Sequence, residues 1–171
     1  MPSNVEIKAR LRDPEATLAA ARSLSSAAPV VIEQHDTFYE CATGRLKLRR
    51  FPDGKGELIA YERPDTDGPK TSQYLIYRTD DAAGLAATLA AAMLPLGVVR
   101  KTRRLLLVGR TRIHLDNVQD LGHFLELEVV LAEGDDPDEG AAEARTLLQR
   151  LRIQDTDLVS GAYIDHLREI S

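Results

Sequence analysis

The stretch Asn4-Val5-Glu6-Ile7-Lys8-Ala9-Arg10-Leu11 alternates polar and apolar residues without a break. Successive side chains of a β-strand point to opposite faces. Asn4, Glu6, Lys8 and Arg10 therefore share one face, and Val5, Ile7, Ala9 and Leu11 the other. The same period returns downstream. Arg45, Lys47 and Arg49 oppose Leu46 and Leu48, and Lys101 aligns with Arg103. Arg110, Arg112, His114 and Asp116 oppose Ile113 and Leu115, while Glu126 and Glu128 oppose Leu125, Leu127 and Val129.

For any one strand, a charged face is ordinarily the wet side of a half-buried sheet. Five such strands in one small barrel call for another reading. If the apolar faces pack outward beneath helices, the charged faces must point into the lumen. Like charges crowded there repel unless something compensates them. The basic set is the larger, so an anionic ligand is expected. Phosphate suits it, because it takes bidentate contacts from Arg and point-charge contacts from Lys. Glu126 and Glu128, near Glu6, have two readings on spacing alone. They either pair with the basic strands or hold a hard divalent cation such as Mg²⁺ or Mn²⁺.

Strand character is found near residues 3–12, 35–40, 45–51, 57–63, 73–79, 97–108, 110–118 and 124–132. The separators Ala42-Thr43-Gly44, Pro52-Asp53-Gly54 and Gly68-Pro69 carry turn chemistry. Four helices are expected. Asp13-Pro14 opens one to about Leu24, Asp80-Asp81 opens an alanine-rich one to about Met93, and Asp136-Pro137 opens one to about Arg152. The last is expected from about Asp157 to Leu167. Eight strands joined mostly by short turns predict an α+β fold: an eight-stranded antiparallel β-barrel with helices packed outside. No linker divides the chain, so one domain over 1–171 is expected.

The 171 residues suffice to bury a core, and 43% hydrophobic and 29% charged residues are ordinary for a cytosolic globular protein. A net charge of −5 argues against a dedicated nucleic-acid binder. No apolar run approaches the ~20 residues of a membrane span, and Met1-Pro2-Ser3-Asn4 is no signal peptide. A cytoplasmic location is expected. Cys41 is the only cysteine, which rules out an internal disulfide. His35, His114, His123 and His166 have no zinc-site spacing and read as structural or surface residues, with His114 set apart by sharing a face with Arg112 and Asp116. Tyr163 reads as a packing residue of the last helix. Gly54 and Gly56 lack the Lys-Ser/Thr of a phosphate loop.

These segments resemble the CYTH superfamily, the triphosphate tunnel enzymes that include class IV adenylyl cyclases and thiamine triphosphatases. Asn4-Val5-Glu6-Ile7-Lys8 is similar to its N-terminal E-x-E-x-K strand. Gln34 to Tyr39 and Gly44 to Arg49 look like the second and third strands of the cyclase branch. Lys101-Thr102-Arg103 is similar to its K-x-R strand. Arg112 to Asp116, Gly122 and Glu126-Leu127-Glu128 resemble the metal-proximal strands, and Tyr163 to Leu167 the closing helix.

The resemblance implies a tunnel in which Lys8, Lys47, Arg49, Lys101, Arg103 and Arg112 hold a triphosphate such as ATP or tripolyphosphate. Where the family usually has a lysine on the fourth strand, this chain offers Tyr61, Glu62 and Arg63, of which Arg63 is the favoured counterpart. It also implies that Glu6, Glu126 and Glu128 hold Mg²⁺ or Mn²⁺, with Asp116 an additional ligand. Glu6, Lys8 and Arg112 then form the catalytic set. The first reading is class IV cyclase chemistry, ATP to cyclic AMP and pyrophosphate. The alternatives are a triphosphatase acting on tripolyphosphate or an organic triphosphate, and a non-catalytic binding protein. Asn4 departs from the motif's first glutamate, and its amide brings no charge to a metal. No nucleic-acid or membrane partner is expected. A homodimer is compatible with a compact barrel, though nothing demands one.

Overall fold

The computed structural model describes residues 1–170. Its strands are β1 (Ser3–Arg10), β2 (Val30–Tyr39), β3 (Arg45–Arg50), β4 (Gly56–Glu62), β5 (Lys70–Thr79), β6 (Pro95–Val108), β7 (Thr111–Val118) and β8 (Gly122–Leu131). Its helices are α1 (Pro14–Leu24), α2 (Ala82–Ala92), α3 (Pro137–Arg150) and α4 (Tyr163–Ile170). All eight strands pair antiparallel in the order β1-β5-β4-β3-β2-β6-β7-β8, and the ring closes. Two meanders, β2 to β5 and β6 to β8, are joined by the long β2–β6 ladder on one side and by β1 on the other. The expected α+β barrel is what forms.

The apolar faces point outward, as the alternation requires. Val5, Ile7, Ala9, Ile113, Leu125, Leu127 and Val129 are buried against Leu18 and Ala21 of α1 and Ala144, Leu147 and Leu148 of α3. Fully burying each such aliphatic contributes about 1.5–3 kcal/mol. The helix starts follow their capping residues: Asp13, Asp81 and Asp136 accept from the amides of Ala16, Gly84 and Asp138 at 3.0, 2.9 and 2.9 Å. Gly140 lets α3 lie close on β1, where a Cβ would meet Val5 Cγ2 at 3.0 Å. A second apolar cluster, Phe38, Val99, Val118, Phe124, Tyr163 and Ile164, caps one end of the barrel with α4. No described helix is long and apolar enough to cross a membrane.

Two boundaries differ by more than three residues from those expected. β2 begins at Val30 rather than near His35, because its first half pairs with β6 from Val30↔Leu105 onward. The last helix does not begin at Asp157. Asp155–Asp157 form a 3₁₀ turn fixed by Arg12 Nε on Asp157 Oδ1 at 2.6 Å. The chain then runs extended along β1, with Val159 N donating to Lys8 O at 3.0 Å, and turns at Gly161, whose φ of 79° suits glycine. The helix starts only at Tyr163.

Candidate functional site

The lumen is a cavity of about 340 Å³ lined by charged side chains, not an oily core. Its deepest charge is Asp36 on β2, which is 1% exposed. Arg49 Nε and Nη2 both donate to it at 2.9 Å, Lys101 Nζ donates at 3.1 Å, and Lys47 Nζ lies 3.2 Å away. Burial works to raise the Asp36 pKa, but these three cations outweigh it and hold the carboxyl well below its ordinary value. The cations pay in turn. Burial, with Arg49, Arg103 and Lys47 nearby, pushes Lys101 down to about 7 despite Asp36. Lys47 is lowered by burial and by Arg49.

Beside this cluster, Arg103 grips both oxygens of Asp116 at 2.7 and 2.8 Å, and Tyr163 OH donates to Asp116 Oδ2 at 2.9 Å. Burial would raise Asp116, but the Arg103 charge and hydrogen bonds bring it to about 2. Lys8 Nζ donates to the Gly161 carbonyl at 3.0 Å, lies 3.8 Å from Glu126 Oε2 and sits 4.1 Å from the centre of the Tyr163 ring. Burial lowers Lys8 to about 8, although Glu126 opposes it. Arg63 donates to Glu6 Oε2 at 2.7 Å and to the same Gly161 carbonyl at 3.2 Å.

The carboxylates gather where β1, β7 and β8 adjoin. Glu6 is opposite Glu128, Lys8 opposite Glu126, Arg112 opposite Glu128 and His114 opposite Glu126. Arg112 Nη2 is 2.8 Å from Glu128 Oε2. Burial, Glu126 and Glu6 together raise Glu128 to about 7. Glu126 is held well below its usual range, because Lys8, Arg103 and Arg63 outweigh its burial. Burial and Arg103 lower His114 well below its ordinary value, leaving a neutral imidazole. One ligand atom each from His114, Glu126 and Glu128 lie within 4.8 Å of one another. The buried Asn4 Oδ1, which also lines the lumen, has no hydrogen-bond partner, nor has His114 Nδ1. Carboxylate oxygens beside buried unpartnered lone pairs are a donor set that fits a divalent cation.

Ladder register orders these groups along the lumen. Leu105 on β6 stands opposite His114, and Arg103 opposite Asp116. Across the β6–β8 ladders Glu126 and Glu128 therefore stand one and two inward-facing positions farther than Arg103 from the rung of Phe124, which packs on α4. Beyond them, at the end away from α4, half-buried Ile32, Phe51, Ile76 and Leu105 line the cavity. Arg78 and Glu57 pair there at 3.3 Å.

Of the expected residues, Lys8, Lys47, Arg49, Arg63, Lys101, Arg103, Arg112, Glu6, Glu126 and Glu128 all line this one cavity. Asp116 does not. Its oxygens are taken by Arg103 and Tyr163, so it stands behind the wall as a support. Three basic residues that shared the charged faces also fall outside. Arg45 sits at a strand end and pairs with Asp165 at 2.7 Å and Asp65 at 3.2 Å. Arg110 belongs to the turn before β7 and pairs with Asp135 and Glu143, both at 2.9 Å. Arg10 is exposed and lies 5.0 Å from the centre of the Phe124 ring. Asp36 and the hydroxyl of Tyr163 went unassigned. A lone acid in a strand with no other charge on its face carries no pattern, and a helix tyrosine reads as packing until its partner is seen.

The sequence profile of the CYTH domain family matches residues 3–163. No curated protein matches the chain. Among solved structures, the PH1012 protein of Pyrococcus horikoshii is similar with a TM-score of 0.82 and 23% identity, covering 95% of this chain and 98% of that one. A Vibrio parahaemolyticus protein named as a candidate adenylate cyclase gives 0.78 and 21%, covering 96% and 97%. The Hippeastrum candidate adenylyl cyclase HpAC1, described as having a dominant triphosphatase activity, gives 0.70 and 16%, covering 98% and 96%. At these identities the likenesses speak for the fold, and with the profile match over nearly the whole length they establish that this chain belongs to the CYTH domain family.

Proposed function

We propose that the protein is a metal-dependent enzyme acting on an organic triphosphate, with ATP cyclisation to cyclic AMP and pyrophosphate as its reaction. The observation that carries this reading is the order of groups along the lumen. An apolar collar at one end is followed by the carboxylate group and then by the deep cluster of Lys47, Arg49, Lys101 and Arg103. A nucleoside seated against Ile32, Phe51 and Leu105 would direct its phosphates inward. The α-phosphate then falls beside Glu126 and Glu128, and the β- and γ-phosphates among the cations.

Glu6, Glu126 and Glu128 would hold a divalent ion, which when bound would supply Lewis acidity to the α-phosphate and its attacking hydroxyl. Arg112, paired with Glu128, is placed to meet the same phosphate. Lys47, Arg49, Lys101 and Arg103 receive the charge that builds on departing pyrophosphate. Asp36 and Asp116 hold these side chains grouped in the lumen, and a phosphate would draw donors away from the two carboxylates. Lys8 stands between the two groups and can follow the bridging oxygen.

Incubation of the purified protein with ATP and Mn²⁺ or Mg²⁺, followed by product analysis, tests the assignment. Cyclic AMP with pyrophosphate is expected. Orthophosphate without cyclic AMP would make the protein a triphosphatase, and tight ATP binding without product would make it a sensor; either overturns cyclisation.

A further inference from the structure

We propose that His114 Nδ1 is a ligand to the divalent ion held by Glu126 and Glu128, and that this nitrogen tilts the site toward Mn²⁺ over Mg²⁺. The inference rests on the reading that the lumen binds a divalent ion, and adds to it a donor of a different chemical kind.

Three features converge on this ring. His114 is 4% exposed, yet its Nδ1 has no hydrogen-bond partner. A buried lone pair or N–H left unmatched costs about 1–3 kcal/mol, so such an atom needs an explanation. The atom is aimed at the carboxylates: Nδ1 lies 3.8 Å from Glu128 Oε1, and His114 stands opposite Glu126 in the β7–β8 ladder. At 3.8 Å the contact is too long for a hydrogen bond, but its span suits two donors facing a common ion. One ring nitrogen of His114 and one oxygen each of Glu126 and Glu128 also fall within 4.8 Å of one another, close enough for small side-chain shifts to bring all three onto one ion.

Asn4 gives the arrangement its logic. On β1 its amide brings an oxygen but no charge, and its buried Oδ1 is likewise unpartnered. The site thus offers fewer anionic oxygens than a set of carboxylates alone, and one neutral nitrogen. Mg²⁺ demands near-ideal octahedral oxygen ligation and gives up its waters reluctantly. First-row transition ions accept imidazole more readily. Exchange of a carboxylate for an imidazole donor therefore weakens Mg²⁺ more than Mn²⁺.

Pulsed electron paramagnetic resonance on the full-length protein loaded with Mn²⁺ alone reads the bond directly, without turnover. A ¹⁴N hyperfine coupling of directly bonded imidazole is expected in the unmodified protein and should vanish in His114→Gln. Titration should show Mn²⁺ affinity falling about tenfold in that variant while Mg²⁺ affinity, measured by competition, moves less than about threefold. If His114→Gln does not fold, the unmodified spectrum still decides, because His35, His123 and His166 do not line the cavity. Bound Mn²⁺ without nitrogen coupling, or equal loss of both ions, overturns the assignment of His114 and leaves metal binding standing. No Mn²⁺ bound at millimolar concentration overturns both.

Discussion

Asp36 stands directly opposite Arg49 in the β2–β3 ladder and accepts from both its Nε and its Nη2 at 2.9 Å. Lys47 and Lys101 converge on the same carboxylate. One buried anion thus gathers three cations that would otherwise repel, and keeps their donors grouped for a ligand that carries more charge than Asp36 can offer.

Asp36→Asn removes that anion and leaves the cations uncompensated. Breaking a buried charge set in this way costs about 3–5 kcal/mol. The ligand-free variant should unfold at a distinctly lower temperature, and added tripolyphosphate should restore more stability than it gives the unmodified protein. Thermal denaturation at matched ionic strength reads both effects. An unchanged midpoint would mean that the cluster does not depend on Asp36.

Arg49→Ala tests the wall itself. Loss of one charge-assisted contact should weaken triphosphate binding by about 1.5–3 kcal/mol, measured by calorimetry. Unaltered affinity would show that the guanidinium never leaves Asp36 for the ligand.

How far these residues could be read in advance follows from strand parity. Lys47 and Arg49 were legible because β3 alternates them with Leu46 and Leu48. Lys101 and Arg103 are flanked by Arg100, Thr102 and Arg104, so parity alone did not single them out and the similarity to the K-x-R strand did. Parity failed at strand ends, where Arg45 and Arg110 lean to outer carboxylates instead. It also failed for Asp116, because facing inward does not decide which of two side chains stands in front. Asp36 was not legible, since its role exists only across β2, β3 and β6. The four helix starts contrast in the same way: those after Asp13, Asp81 and Asp136 are set by local caps, while the one at Tyr163 depends on Arg12 and β1, far away in sequence.

Protons should accompany the ligand. In the free protein, burial holds Lys101 near about 7 and Lys8 near about 8, so at pH 8 both are partly neutral. A polyanion favours their charged forms and raises both values. Binding therefore takes up protons at about pH 8, and affinity falls as pH rises through about 7 to 9. Calorimetry in buffers of different ionisation heat checks this. Binding heats independent of the buffer would contradict it.

Glu126→Gln combined with Glu128→Gln should abolish metal-dependent turnover while leaving the fold intact, because the apolar faces packed beneath α1 and α3, and not these lumen charges, hold the barrel together. Circular dichroism and product assays separate the two outcomes. Normal activity in the double variant would remove the metal assignment.

Leu105→Ser should weaken ATP binding by roughly 1–2 kcal/mol through lost apolar contact, and leave tripolyphosphate binding unchanged. Parallel titrations decide. Equal losses for both ligands would mean that no organic group rests on the collar.

The direction in which a triphosphate lies in the tunnel is best tested by a crystal structure with Mn²⁺ and α,β-methylene ATP. The ion should sit on Glu126 and Glu128 beside the α-phosphate, with the base at Ile32 and Leu105 and the outer phosphates among Lys47, Arg49, Lys101 and Arg103. A γ-phosphate beside the ion, or a nucleotide bound outside the lumen, would contradict it.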